Sequence, residues 1–201
     1  MFFKRNRDSY TKLGDLGTQK LQRLFIITLF GAIIFVANIF LPPPLNYLMM
    51  VVQAVFLALS ALFIKKTGAI YAGAVGGLLT ALLSGSALGP FTFFFSFLYG
   101  VFVDLSLYIF KIKGAHSGVN QNRLIIAMAL STLMIAISSY SAFALLPQSF
   151  NLQKIAFVSL FVQPSPMLTA LVLFMGPTTG ATAGYATAYL WNKYLRHINI
   201  N

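Results

Sequence analysis

Six long apolar runs, separated by short polar joints, make up most of this sequence and leave few folds open to it. They cover about residues 24–41, 47–64, 68–85, 90–110, 124–146 and 166–194. A helix needs about 20 mainly apolar residues to cross the hydrocarbon core of a bilayer, and each run approaches or exceeds that length. Only 8% of the residues are charged, whereas a soluble domain carries roughly 25%. The sequence therefore predicts an all-α integral membrane protein with six transmembrane helices.

Prolines and a basic N-terminal segment set the predicted boundaries. Three consecutive prolines follow the first run, at 42–44, and Pro147 follows the fifth. Proline ends a helix because it has no backbone N–H and clashes with the preceding turn. Residues 1–21 contain several basic side chains but no long apolar run, so we predict a cytoplasmic N-terminal segment. A single six-helix membrane domain then occupies 22–196, and 151–162 within it has the pattern of a short interfacial or re-entrant helix.

The basic side chains predict which side of the membrane the termini occupy. Six spans place both termini on one side, and thirteen of the fourteen Lys and Arg residues then lie on that side, with only Lys154 opposite. Loops rich in Lys and Arg face the cytoplasm, so both termini are predicted to be cytoplasmic. Membrane topology thus explains the formal net charge of +11 better than nucleic-acid binding does. We predict a multi-pass protein of the cell membrane with no nucleic-acid partner.

No arrangement of residues in this sequence points to an enzyme. The chain has no cysteine, and both histidines, His116 and His197, fall in polar connecting segments rather than in a predicted span. Catalysis by paired carboxylates needs two acids, but Asp104 is the only acidic residue after Asp15. We therefore predict no catalytic residues, no metal site and no cofactor in this chain.

Asp104 is the most unusual residue of the predicted spans. A polar or small residue recurs at every fourth position along the fourth run: Thr92, Ser96, Gly100, Asp104 and Tyr108. This spacing places them on one face of a helix. An acid inside a membrane costs at least a few kcal/mol to bury and is by default a candidate functional residue. The structural alternative is an aspartate that reaches toward Lys111 or that is capped by a neighbouring helix, and the sequence leaves both interpretations open.

Small residues also recur at every fourth position in the third and sixth runs. The glycines in these patterns include Gly73, Gly77, Gly176, Gly180 and Gly184. Such spacing lets helix backbones approach closely in a membrane. The predicted role is either packing between helices of this chain or docking of a partner protein.

Three short motifs between residues 57 and 114 point to a known family. They are a basic-glycine turn (Lys65, Lys66, Gly68), a Gly-Ser-x-x-Gly turn (Gly85, Ser86, Gly89) and a Gly-x-x-x-acid step (Gly100, Asp104). The segment resembles the core of S components, the substrate-binding subunits of energy-coupling factor vitamin transporters. It is most similar to the YkoE-like group, which is associated with thiamine or its hydroxymethylpyrimidine precursor.

The resemblance implies a subunit that binds a small vitamin-like molecule from outside and passes it across the membrane. A membrane coupling subunit and two ATPase subunits would be its partners, and those ATPases would use the ATP. Many S components dock the coupling subunit through an Ala-x-x-x-Ala step on the first helix, and the corresponding steps here are Thr28–Ala32 and Ile33–Ala37. The predicted substrate-binding residues, near the outer mouth, are Asn46, Gln53, Tyr99, Tyr140 and Gln163, with Asp104 as the counter-ion of a cationic or aminopyrimidine group.

A second function is compatible with the same sequence. The chain could be a non-catalytic accessory subunit of a larger membrane complex, whose glycine patterns and phenylalanine-rich fourth run serve only for packing. The scarcity of charged side chains in the spans favours this alternative.

Overall fold

The computed structural model describes residues 20–37, 46–64, 67–83, 89–114, 118–145 and 166–195. These residues contain no β-strand and form six α-helices. The helices are α1 (Lys20–Ala37), α2 (Asn46–Ile64), α3 (Gly68–Leu83), α4 (Gly89–Ile109), α5 (Gln121–Leu145) and α6 (Pro166–Leu190). A π-helical turn at Trp191–Leu195 continues α6. The predicted helix at 151–162 and most of the predicted N-terminal segment lie outside the described residues.

Three of these helices are long and apolar enough to cross a membrane. They are α1 over Lys20–Ala37, α4 over Phe91–Ile109 and α5 over Gln121–Ala142. The apolar stretches of α2 and α3 are shorter, at Met50–Ile64 and Gly68–Leu83. The protein is thus an all-helical bundle with three helices of membrane-spanning length. The crossing of all six helices and the side of the termini stay predictions.

The helices pack as two close pairs around α2. Helix α3 packs most extensively on α4, α5 packs most extensively on α6, and α2 contacts members of both pairs. Several apolar side chains of α2 are fully buried, including Ala54, Leu57 and Ala58. On the remaining side of α2, the ring of Phe30 from α1 lies 5.5 Å from that of Phe56. Helix α2 is therefore the centre of the core.

Glycine allows the close approach within both helix pairs. A Cβ atom added at Gly73 of α3 would lie 2.6 Å from the carbonyl oxygen of Ser96 in α4. A Cβ atom added at Gly184 of α6 would lie 2.8 Å from the Cα of Ile125 in α5. The other predicted packing glycines, Gly77, Gly176 and Gly180, face the same partner helices. All five therefore lie between helices of this chain.

Two helix ends differ from the predicted boundaries for a local reason. Helix α5 begins at Gln121 rather than Leu124, because Asn120 caps it: its side-chain Oδ1 accepts a hydrogen bond from the N–H of Arg123 at 3.2 Å. This is the usual contact of an N-cap residue. Helix α4 ends at Ile109, where the N–H of Ile112 reaches back to the carbonyl of Leu107 at 2.9 Å. That bond belongs to a Schellman motif.

Replacing Lys111 by glycine is expected to stabilise the protein. Lys111 occupies the left-handed position of the Schellman motif, with a φ of 53°, which costs a residue with a Cβ about 1 kcal/mol or more. Glycine adopts this conformation readily, so Lys111→Gly should raise the melting temperature in detergent. Lys113→Gly is the matched control, since it removes the same charge outside this conformation and should not stabilise. A lower melting temperature for Lys111→Gly than for Lys113→Gly would contradict the motif.

Candidate functional site

Asp104 of α4 lies against the first turn of α3. Its Oδ1 accepts a hydrogen bond from the N–H of Ala69 at 3.3 Å, and its Oδ2 accepts one from the N–H of Ile70 at 2.9 Å. The first four N–H groups of a helix have no partner within the helix, and α3 begins at Gly68. Asp104 therefore supplies, from a neighbouring helix, the capping bonds that the residue before a helix usually provides.

Gly100 makes this cap possible. It lies one turn before Asp104 on α4, and a Cβ atom there would collide with the carbonyl oxygen of Ala69 and lie 2.9 Å from the Cα of Ile70. The absence of a side chain at Gly100 brings the two backbones together, and the carboxylate one turn later reaches the free amides. The Gly-x-x-x-acid step thus has a structural explanation in the capping of α3.

Burial disfavours the charged form of Asp104, whereas its two backbone N–H donors favour it. Its side chain is only 7% exposed, and the N-terminal end of a helix carries a partial positive charge that favours a carboxylate. Among the described residues it is the only acid. The sequence allowed two structural roles for Asp104, an aspartate that reaches toward Lys111 or one that is capped by a neighbouring helix. The observed contacts with α3 correspond to the second. Lys111 has an exposed side chain beyond the end of α4.

A second polar contact joins α2 to α4 inside the bundle. The Nε2 of Gln53 donates a hydrogen bond to the Oγ of Ser96 at 3.4 Å, which is longer than the usual range of about 2.7–3.2 Å. Ser96 is buried and Gln53 is half-buried. Ser96 precedes Asp104 by two helical turns, or about 12 Å along α4. The two predicted polar positions, Gln53 and Asp104, therefore lie at different levels of the bundle.

Of the remaining predicted binding residues, the structure describes the side chains of Tyr99 and Tyr140. Tyr99 is buried in the core, at 7% exposure. Tyr140 is half-buried on α5 and interacts with other groups there. Asn46 is the first residue of α2, and Gln163 lies outside the described residues. Within the described part of the predicted set, Gln53 bonds to Ser96 and Asp104 bonds to α3.

One contact that the sequence did not predict fixes the connection between α4 and α5. Asn192, in the π-helical turn, donates from its Nδ2 to the carbonyl of Val119 at 3.0 Å and accepts from the N–H of Val119 at 2.7 Å. Next to it, the ring of Trp191 packs edge-on against Phe63 of α2 at 5.0 Å. A Trp-Asn pair at the end of an apolar run, in a chain with a single tryptophan, was the available signal.

The end of α6 and the π-helical turn each contain one buried polar atom without a partner. The Oγ1 of Thr187 and the Nε1 of Trp191 make no hydrogen bond to any described residue. They are four residues apart and so lie on one face of the helix. An unpaired buried polar group costs about 1–3 kcal/mol. The end of α6 therefore combines tight packing with two uncompensated polar groups.

The described residues contain no cluster of three or more His, Cys, Asp or Glu side chains that could hold a metal ion. No protein-family model matches the chain, and no curated protein or solved structure is significantly similar to it. The fold and the site define the protein as a helical bundle, with three helices long and apolar enough to cross a membrane. Among the polar groups of its interior, the carboxylate of Asp104 and the hydroxyl of Ser96 each bond to a group on another helix.

Proposed function

We propose that this protein is the membrane-embedded substrate-binding subunit of an energy-coupling factor type vitamin uptake transporter. Its substrate would resemble a thiamine precursor, and the chain would cross the cell membrane several times with both termini in the cytoplasm. The observation that carries the proposal is the contact between Gln53 and Ser96 across α2 and α4. Ligand sites are typically apolar with a few well-placed polar groups, and this pair joins two side chains of different helices inside the bundle.

The chemistry of Gln53 fits an aminopyrimidine. A carboxamide offers a donor and an acceptor side by side, and this is how glutamine binds the amino group and ring nitrogen of adenine. Gln53 uses one of its two N–H donors for Ser96, which leaves its carbonyl oxygen and second N–H for a ligand. We therefore place Gln53 at the centre of the proposed site. The counter-ion role of Asp104 would have to be compatible with its two bonds to α3.

The two candidate docking steps for the coupling subunit differ in their exposure. Of the two steps on α1, Ile33–Ala37 ends in a buried residue, because Ala37 is only 5% exposed. In the other step Thr28 is exposed and Ala32 is half-buried. We propose that Thr28–Ala32 faces the coupling subunit, whose ATPase partners would hydrolyse the ATP.

The proposal is tested by thermal stability in detergent against thiamine, hydroxymethylpyrimidine and a panel of other vitamins. A ligand that binds only the folded state stabilises it by about 2.7 kcal/mol at one hundred times its dissociation constant. We expect a pyrimidine ligand to raise the melting temperature, and Gln53→Leu to abolish that rise. Thr182→Ala is the control, because Thr182 is exposed and its hydroxyl bonds only to the carbonyl of Thr179.

Two results would count against this function. An unchanged ligand response in Gln53→Leu would exclude the proposed site, and no response to any vitamin would leave the accessory-subunit alternative. That alternative is supported by exposed rings on α4, Phe94 at 53% and Phe97 at 37%, which a partner helix could cover. Co-purification with a stoichiometric membrane complex that lacks ATPases would establish it.

A further inference from the structure

One face of α6 changes character along its length. Exposed side chains recur every three or four residues on it, in the order Phe174, Thr178, Thr182, Tyr185, Tyr189 and, in the π-helical turn, Lys193. The face is thus apolar at one end, aromatic with hydroxyl groups further on, and cationic at the end of the helix. Phe174 is 71% exposed, Tyr185 55% and Tyr189 48%, so no described part of the chain covers this face.

The cationic end of the face is a defined cluster. The Nζ of Lys193 donates a hydrogen bond to the hydroxyl oxygen of Tyr189 at 2.7 Å. It also lies 5.1 Å from the ring centroid of Tyr189 and 5.3 Å from that of Tyr194. Both distances are within the range of a cation–π interaction. The two rings hold the ammonium group at the surface, where its remaining N–H donors can reach an external acceptor.

No acid in the described residues neutralises this end of the bundle. Asp104 is the only described acid, and its oxygens are bonded to the amides of α3. The bonds between Asn192 and Val119 hold the α4–α5 connection against the turn that carries Lys193. That connection adds further exposed cations, among them Lys113. The cluster therefore lies within an excess of positive charge.

The hydroxyl group of Tyr189 can donate a hydrogen bond to an anion while its oxygen accepts one from Lys193. It accepts its hydrogen bond from a positively charged group, and hydrogen bonds in a chain polarise and strengthen one another. Its own proton is free to point to an external acceptor. Two donors, the Lys193 ammonium and the Tyr189 hydroxyl, thus meet at one exposed place. Charge-assisted bonds of this kind are roughly twice as strong as neutral ones.

We propose that this cluster binds the phosphate group of an anionic phospholipid, with the acyl chains along the aromatic part of the same α6 face. Tyrosine is enriched at the membrane–water interface, and basic side chains near the cytoplasmic leaflet attract anionic lipids. The inference rests on the membrane placement proposed above, but it requires no vitamin substrate. A failure here therefore leaves the result of the vitamin test unaffected.

The test measures lipid binding to the full-length protein in a neutral detergent by native mass spectrometry. The lipids are short-chain phosphatidylglycerol and phosphatidylcholine with the same acyl chains, because both contain phosphate and only the first is anionic. We expect phosphatidylglycerol to bind at least about fivefold more tightly. Lys193→Gln should remove this preference. Tyr189→Phe, which keeps the ring, should weaken phosphatidylglycerol binding about two- to threefold.

Lys113→Gln is the matched control, since it removes one positive charge from the same end of the bundle but outside the cluster. It should keep most of the preference for phosphatidylglycerol. An equal loss in Lys113→Gln and Lys193→Gln would show diffuse surface charge instead of a site. Equal affinity of the wild-type protein for both lipids would also overturn the proposal. Displacement of the lipid by millimolar inorganic phosphate would identify a free-anion site and refute the lipid assignment.

Discussion

Asp104→Ala is expected to lower the free energy of unfolding by about 2–4 kcal/mol, because it leaves the buried N–H group of Ala69 and the part-buried N–H group of Ile70 without an acceptor. The carboxylate is 7% exposed, so water cannot readily replace it. Asp104→Asn should lose roughly half as much, since an amide keeps one acceptor oxygen. Reversible denaturation in mixed micelles measures the difference, and hydrogen exchange should show faster exchange at the amide of Ile70.

Ser106→Ala is the matched control for this prediction. Ser106 lies two residues further along α4, is equally buried, and bonds only to the carbonyl of Val103 within its own helix. Its loss should cost much less than the loss of Asp104. If Asp104→Ala is instead as stable as Ser106→Ala but no longer responds to a ligand that stabilises the wild-type protein, then Asp104 serves binding and the capping role is wrong.

The sequence alone could predict the position of Asp104 on its helix but not its role. The four-residue spacing placed Gly100 and Asp104 on one face of a helix, and the structure agrees. Whether that face met a ligand or a helix end depended on the relative height of α3 and α4 in the bundle. No local pattern encodes that height, because it results from packing between residues about 35 positions apart. The sequence therefore allowed capping as one interpretation of Asp104 but could not distinguish it from ligand binding.

The number of helices could be predicted from the sequence better than the residues at which they begin and end. Apolar runs near the length of a membrane span predicted six helices, and the described residues contain six. The start of α5 was predicted at Leu124, where the apolar pattern begins, whereas the cap at Asn120 starts the helix at Gln121. The pairing of Asn192 with Val119 spans 73 positions and has no periodic signal. Hydrophobic pattern thus predicts helices, whereas polar side chains determine where they end and meet.

Gly180→Leu is expected to prevent stable packing of α5 against α6, with a loss of at least about 3 kcal/mol, the upper part of the usual range for overpacking. Even a Cβ atom at Gly180 would overlap the Thr132 hydroxyl oxygen, touch the Met128 carbonyl oxygen and lie 2.8 Å from the Cα of Ala129. Two of these three neighbours are backbone atoms, which cannot turn aside as a side chain does. The yield of monodisperse protein in size-exclusion chromatography and its melting temperature measure the effect.

Gly176→Ala provides the comparison, because the Cβ atom there would lie 3.2 Å from the Cβ of Ala136 and 3.4 Å from the Thr132 carbonyl oxygen. That crowding is much milder, so this variant should fold, and its melting temperature should be close to that of the wild type.

The double variant Gly180→Ala, Thr132→Ala tests which neighbour causes the crowding. It should recover only part of the stability lost in Gly180→Ala, since the Met128 carbonyl still collides with the added Cβ atom. Equal tolerance of alanine at 176 and 180 would contradict the close α5–α6 contact. The result also distinguishes the two roles predicted for these glycines, because a glycine that packs between helices of this chain is not available as a docking face.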